Sequence, residues 1–541
     1  MSLSSTRRSL IRPSLFLPRL LKLVAVFVVT TLLIYSSTRL SSRWRFSAVP
    51  SFEHASQTYK DCPPNIRESD FSPAAIHCRI LAALEAHSTP KTQSSTPEEA
   101  IAEYKSRYGR LPPRGFEEWV NFALNHRSEI IDDFDQIDRD LEPYRTPEAR
   151  QIFRELKEQG EKHPHLVTVR IENGTMSKSG GYIYDREWER LVKPFAHALP
   201  DSLFLLSTID EPRVLSCSDP QPATVQFQER PGESIEDLVK DSCKTVPKFP
   251  RRLSHYVDVC RSSHPANLHA LIAAPSSFSY THSSVPILSF GRMSAFKDIL
   301  FPCPCYLAHP VAEKDPIPFL EKKGALYWRG SSTGGRATRF NWRHGHRGRF
   351  VSFIQSLQNA AHVLDAGSFF GLKTDNLNKK QIRLFREVFD VHMAAYVQCV
   401  DDACNEMARV LGPPDYESED TASNYRFVFD LDGNSMSTRF YRLLSRKTVV
   451  FKQTWFQEWH DDRLIPWAHY IPVTMTMEEL PALINFFVNN SNGEKLSAEI
   501  ALAGSTWSKK VLREIDMSIY LYRLLLEMAE LFNLEETPTV S

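Results

Sequence analysis

The chain has 541 residues, too many for a single hydrophobic core, so two domains plus an N-terminal extension are the expected organisation. Its 65 basic and 65 acidic residues cancel to a formal charge of zero. A neutral chain has no general attraction to nucleic acid, and no such partner is expected.

Leu20 to Tyr35 is apolar apart from Lys22 and two threonines, with Arg7, Arg8, Arg12 and Arg19 before it and Arg39, Arg43 and Arg45 after. No small-residue cleavage site follows, so the expectation is an uncleaved signal anchor at 20–36 behind a cytosolic tail at 1–19, a cleaved signal peptide being the alternative. The run is short against the ~20 residues a typical bilayer needs, which suits thin early secretory membranes. The positive-inside rule then places the rest of the chain in the lumen, as a single-pass type II protein of the Golgi or ER membrane. Asn173-Gly174-Thr175 and Asn489-Asn490-Ser491 are glycosylation acceptors that have meaning only on that side. Nine cysteines can form disulfides there, the odd number leaving at least one unpaired. Cys303-Pro304-Cys305 with His309 has the look of a metal site, but without a second cysteine pair a disulfide is the better reading.

Residues 37–96, rich in Ser, Pro and Thr, read as a stem that Cys62 and Cys78 partly staple. A helical pattern fills 97–164, with Phe116, Trp119, Val120 and Ala123 on one face. Strand-like runs at 166–171, 181–184, 203–209 and 286–290 define a first α/β domain over 165–323. The second spans 324–541, with strands at 325–328, 425–429 and 448–451, a long amphipathic helix at 381–396 and a C-terminal helix at about 508–534. Alternation in two successive blocks predicts two doubly wound domains facing across a cleft.

The stretch 425–472 is a strand, a turn and a helix in succession. Its strand ends at Asp430, Asp432 and the turn pair Gly433-Asn434; Ser437 or Thr438 can cap a helix that buries Phe440, Leu443 and Leu444. Free N–H groups of such a first helical turn stabilise an anion, and Arg439 would stand ready to pair with a phosphate. An ordinary crossover with Arg439 in solvent is the competing reading. The loop Tyr327-Trp328-Arg329-Gly330-Ser331-Ser332-Thr333-Gly334-Gly335, followed by Arg336, Arg339, Arg343, Arg347 and Arg349, is a second anion site by composition. Glycines admit a phosphate to the backbone, hydroxyls donate to it and guanidinium groups pair with it; a basic surface loop is the alternative. Asp210, at the end of a strand, can take the proton of an attacking sugar hydroxyl, or it can cap a turn or pair with Arg213. Asp430 and Asp432 could hold Mn²⁺ or Mg²⁺ on a diphosphate, or one could cap the turn. His460-Asp461-Asp462 and His344-Gly345-His346 also imitate metal sites and read more simply as solvated loops.

The ordered blocks DEPRV (210–214), LYWRGSSTGG (326–335), VQC (397–399) and FDLDGNSMSTRFYRLL through WFQEWHDDRLIPWAHYIPV resemble glycosyltransferase family 90, the fungal capsule-associated glycosyltransferases related to the Rumi-like protein O-glucosyltransferases. The resemblance implies a GT-B fold of two Rossmann-like domains, with a UDP-sugar donor held mainly by the C-terminal one, and an inverting reaction with Asp210 as base. Arg329, Gly330, Ser331, Thr333, Gly334, Arg349, Gly433, Ser437 and Arg439 are the expected donor-binding residues, and Asn173 and Asn489 the expected glycosylation sites. No permanently bound cofactor is implied; Mn²⁺ through Asp430 and Asp432 is left open. Ser332 and the Gly334-Gly335 pair follow the fungal branch, where the animal enzymes carry an arginine in the loop, so EGF-like acceptors are not assumed. The expected reaction moves xylose or glucose from a UDP-sugar to a glycan or glycoprotein acceptor. A Golgi sulfotransferase and a catalytically inactive glycan-binding protein of the same fold are the alternatives.

Overall fold

The computed structural model describes residues 62–532 except 64, 90, 160–164, 217–224, 247–253, 309–314 and 360–377. The predicted anchor, Cys217 and His309 lie outside the described residues. Among the described residues no helix is long and apolar enough to cross a membrane.

Asn173 and Gly174 both have positive φ, 50° and 70°. That is the geometry an Asn-Gly pair adopts most readily at a two-residue turn, and it folds β1 (Leu166–Glu172) back on β2 (Thr175–Lys178) as an antiparallel hairpin. β1 also runs antiparallel to β3 (Ser202–Ser207), whose six residues are all buried. A short pair, β4 (Gln228–Glu229) and β5 (Ser279–Tyr280), stands apart. The first sheet continues from β3 in parallel through β6 (Ile287–Ser289) and β7 (Ile299–Leu300), giving the order β2-β1-β3-β6-β7. The first sheet is therefore mixed where a doubly wound parallel sheet is expected, because a two-residue turn can join only antiparallel strands. Residues 181–184, expected as a strand, are instead the turn that enters the helix Asp185–Val192.

The second sheet is parallel throughout. It consists of β8 (Lys323–Ser331), β9 (Phe389–Ala395), β10 (Tyr425–Leu431), β11 (Val449–Gln453) and β12 (Ile471–Pro472) in the order β12-β11-β10-β8-β9. Such strands are covered on both faces. Side chains alternate accordingly: Tyr327, Tyr425 and Val428 join the core shared with the first sheet, while Leu326, Trp328, Phe427 and Phe429 join a second core under the helices His346–Gln358 and Leu480–Asn489. From β8 the chain moves outward to β9, then returns to β10 and proceeds the other way. The order thus reverses between β8 and β10, and ligands of open α/β sheets bind outside the strand ends at such a point.

Four helices, Pro97–Tyr108, Phe116–Asn125, Asp135–Leu141 and Pro147–Gln159, occupy the stretch expected to be helical. The helix Glu514–Phe532 returns to pack on Phe116–Asn125 and Asp185–Val192, and Trp119 Nε1–H donates to the Ile519 carbonyl. Two further stretches differ from expectation. Helix Pro73–Ser88 lies in the predicted stem, yet it buries Ile76, Ile80 and Leu81 on the second core and is tied by the Cys62–Cys78 disulfide. The predicted helix at 381–396 divides into Lys379–Val388 and β9, since the stretch from Phe389 alternates buried Phe389, Val391 and Met393 with period two.

Candidate functional site

A cavity of about 420 Å³ opens at the C-terminal ends of β8 and β10. It gathers Asp210 from beyond β3 with Arg329, Gly330, Ser331, Thr333, Arg347, Gly433, Asn434, Ser437 and Arg439. Eight of those ten are among the residues expected in catalysis or donor binding; Arg347 and Asn434 are not among those expectations.

β8 delivers its residues through a local irregularity. Its pairing with β9 shifts between Gly330 and Ser331, and a Cβ on Gly330 would lie 2.5 Å from the Trp328 ring. Ser331 Oγ donates to Thr333 Oγ1 at 3.3 Å, so two hydroxyls stand together on the wall. Gly334, with φ 136°, passes so close to His346 that a Cβ would sit 2.5 Å from its ring; it is buried behind the cavity rather than on it.

Two arginines form the cationic wall. Arg347 donates from Nε to the Asp432 carbonyl (2.6 Å), from Nη1 to the Ser331 carbonyl (3.0 Å) and Thr333 Oγ1 (2.5 Å), and from Nη2 to the Leu431 carbonyl (3.3 Å). Arg439 donates to the Arg329 carbonyl (2.8 Å) and to the same Leu431 carbonyl (3.2 Å), and its guanidinium lies 5.8 Å from the Trp328 ring centroid. Neither has a carboxylate within ion-pair distance among the described residues. Burial, and then the charge of Arg439, depress Arg347 to about 9; burial also lowers Arg439. Two guanidinium groups bonded only to neutral acceptors on a cavity wall lack a counter-charge, and a bound anion would supply it.

Asp210 faces this wall from the first sheet. Its side chain opens into the cavity, but surrounding protein strips part of its hydration and raises its pKa, with a hydrogen bond from Asn434 opposing the rise. It does not pair with Arg213, whose guanidinium is bonded to Ser279 and the His165 carbonyl. Beside it Glu211 is buried, accepts from Ser277 N–H and Oγ–H, and is pushed up to about 7 by burial and by the Asp210 charge. A carboxylate on one side and cations on the other suit a reaction that removes a proton from an acceptor while an anionic group departs.

Several expected site residues take other roles. Arg329 lines the cavity, but its Nη2 contacts Asp390 (2.8 Å), Asp415 (2.9 Å) and Glu417 (3.1 Å), so its charge is already matched. Arg349 donates to the carbonyls of Leu268 and Met475, both at 3.1 Å, away from the cavity. The helix after the turn is only Phe440–Leu444, with Arg439 as N-cap and no side-chain cap, so neither Ser437 nor Thr438 caps it. So short a helix has little dipole to offer an anion, and the positive charge on the cavity wall is that of the guanidinium groups. Asp430 and Asp432 are each 1% exposed and line no part of the cavity. Asp430 faces Lys452 at 3.3 Å; Asp432 accepts from Trp455 N–H and faces His269 at 3.3 Å. A metal bridging a diphosphate needs carboxylate oxygens open to the cleft, so these two residues do not fit one. The same structure corrects the two histidine loops: His346 and His460 are fully buried, His346 stacking on His269 at 3.9 Å and His460 Nδ1 lying 3.0 Å from the Tyr441 hydroxyl oxygen. Cys303 and Cys305 are joined to each other, and Asn173 and Asn489 are exposed.

Arg347 lines the cavity where the sequence points to Arg349. The two stand roughly 200° apart on one helix, and the sequence does not say which face looks into the cleft. Asn434 carried a signal only as a turn residue.

Residues 392–540 match the family model described as Glycosyl transferase family 90. The matched segment contains Gly433, Ser437 and Arg439; Asp210, Arg329 and Arg347 precede it. The O-glucosyltransferase rumi of Drosophila melanogaster is 25% identical over 265 residues, 47% of this chain and 56% of that protein. Protein O-glucosyltransferase 1 of Homo sapiens is 24% identical over 264 residues, 47% of this chain and 59% of its own length. The O-glucosyltransferase rumi homolog of Aedes aegypti is 36% identical over 115 residues, 20% of this chain and 28% of that protein. The chain thus spans somewhat over half the length of the longer-matching relatives. Residues 392–540 therefore carry a glycosyl transferase family 90 match, and the chain is similar to the rumi-like proteins over about half its length.

Proposed function

We propose that the protein is an inverting glycosyltransferase of GT-B type that moves glucose or xylose from a UDP-sugar to a glycan or glycoprotein acceptor. The observation that carries this reading is the apposition of Asp210, from the first sheet, and the uncompensated Arg347 and Arg439, from the second, around one cavity. At about 420 Å³ the cavity lies within the ~300–1,000 Å³ usual for small-molecule sites. The names of the relatives favour glucose, and Ser332 with the Gly334-Gly335 pair keeps the fungal branch and xylose in view.

In this mechanism the acceptor hydroxyl attacks the anomeric carbon as the bond from that carbon to the diphosphate oxygen breaks. Asp210 takes the hydroxyl proton, and its raised pKa makes it a stronger base than a solvated carboxylate. Arg347 and Arg439, with the Ser331 and Thr333 hydroxyls, stabilise the charge that develops on the departing UDP. The disulfides Cys62–Cys78, Cys243–Cys260, Cys303–Cys305 and Cys399–Cys404 support residence in an oxidising secretory lumen, where the exposed Asn173 and Asn489 can be glycosylated.

The test is UDP release by the purified full-length chain with a panel of UDP-sugars. Asp210→Asn is expected to lower turnover by about 10²–10⁴-fold, the usual contribution of a general base, while UDP still binds. Full turnover in this variant, folded as the parent, removes Asp210 as base. Preference for a phosphoadenosine ligand over UDP would favour sulfotransfer instead.

A further inference from the structure

Leu431, whose carbonyl holds both cleft arginines, follows a carboxylate with an unusual setting. Asp430 is buried, and its Oδ2 lies 3.3 Å from Nζ of Lys452, its register partner on β11. Its Oδ1 has no hydrogen-bond partner. Lys452 is itself fixed from behind. Glu458 Oε1 lies 3.4 Å from the ammonium, which also sits 3.8 Å from the Phe440 ring centroid, and Glu458 Oε2 accepts the Tyr306 hydroxyl at 2.5 Å.

Asp430 is also the foremost negative charge acting on Arg439. Two cations therefore compete for one buried carboxylate, and it is Lys452 that holds it. An unpaired carboxylate in such a place is costly, and removal of its ammonium would favour any movement that brings the neighbouring guanidinium onto the unpartnered Oδ1. That movement would take Arg439 off the Arg329 carbonyl and away from the cavity wall. Resting on the reading of Arg439 as a diphosphate ligand, we propose that Lys452 is a positioning residue of the donor site: by holding Asp430 against β11, it leaves the Arg439 guanidinium free to meet an anionic ligand.

Calorimetric titration of UDP into the full-length chain tests this. Lys452→Met is expected to raise the UDP Kd at least tenfold and also to lower turnover at saturating UDP-glucose, because the displaced Arg439 would otherwise stabilise the departing UDP. Adding Asp430→Asn to Lys452→Met should return the Kd to within threefold of the parent, because no carboxylate remains to capture Arg439. Because Asp430→Asn would also relieve a purely structural loss, the Tm of Lys452→Met is read beside its Kd: weak UDP binding at parental Tm reports capture of Arg439, and weak binding only in step with a lowered Tm rejects it. Lys452→Arg, which keeps the charge, should bind as the parent does. Parental affinity in Lys452→Met, or a double variant as weak as the single one, overturns the proposal. If Lys452→Met alone does not fold, the double variant decides, parental affinity supporting the proposal and a tenfold loss rejecting it. Arg439→Ala is measured alongside: unchanged UDP affinity there would sink the donor-site reading itself, whatever Lys452 does.

Discussion

Arg347 and Arg349 exchange the roles that the sequence alone suggests for them. Both lie on the helix His346–Gln358, and both are buried. Arg347 is placed by the carbonyls of Ser331, Leu431 and Asp432 and by Thr333 Oγ1, with the cavity beside it. Arg349 ties Leu268, from the first half of the chain, to Met475, from the second. A lysine at 347 keeps the charge, but a single ammonium cannot span that set of acceptors and also meet a diphosphate bidentately. A lost hydrogen bond to a charged group is worth about 1.5–3 kcal/mol, so Arg347→Lys should raise the UDP Kd roughly tenfold to a hundredfold. Arg349→Lys should lower unfolding free energy by a similar ~1.5–3 kcal/mol, through the carbonyls it strands, and leave the Kd within threefold. Calorimetric titration with UDP and denaturant unfolding of both variants read the two effects separately. If Arg349→Lys loses UDP affinity while Arg347→Lys keeps it, the assignment of faces on this helix is wrong.

Two further outcomes follow from the cleft walls. Glu211, raised to about 7 by burial, binds its proton more tightly in the folded than in the unfolded chain, so it stabilises the fold below its ordinary range near 4.5 and loses that contribution as pH rises through about 7. Glu211→Gln should accordingly flatten the decline in Tm between pH 5 and 8, and an unaltered slope would exclude Glu211 as its source. Gly330→Ala places a Cβ 2.5 Å from the Trp328 ring, the surface beneath Arg439; overpacking of this kind costs about 1–3 kcal/mol. Lower stability with a weaker UDP Kd is expected, and a parental Kd would show that the Trp328 ring does not support the anion site.

Two strands of the parallel second sheet were legible because they are nearly continuous apolar runs: 425–429, interrupted only by Arg426, and 448–451 appear almost unchanged as β10 and β11. The first sheet was less so. Asn173-Gly174 carries two signals at once, a glycosylation acceptor and a hairpin turn, and only the second dictates the antiparallel reversal of β1 and β2. At 381–396 a change of period from helix to strand occurs within one unbroken run of mixed residues. No glycine or proline marks the change at Phe389, so the boundary was invisible.

Within the site, the most conspicuous acids of the sequence are not part of the cavity. Asp430 and Asp432 are a carboxylate pair at a strand end, the pattern that metals and diphosphates favour, yet both point into the protein, toward Lys452 and His269. Sequence spacing records that two acids share a strand face and says nothing of which cations the neighbouring elements place against them. Lys452 comes from the adjacent strand and His269 from the other half of the chain. The same reasoning explains why a chain with no net charge holds a cationic site. Arg336, Arg339 and Arg343 in the basic loop lie outside the cavity, and Arg329 is matched by Asp390, Asp415 and Glu417. What remains for a ligand is the small remainder, Arg347 and Arg439, whose partners are carbonyls. An anion site therefore depends less on how many arginines a segment contains than on which of them folding leaves without a carboxylate, and in this protein Lys452 decides that for Arg439 by occupying Asp430.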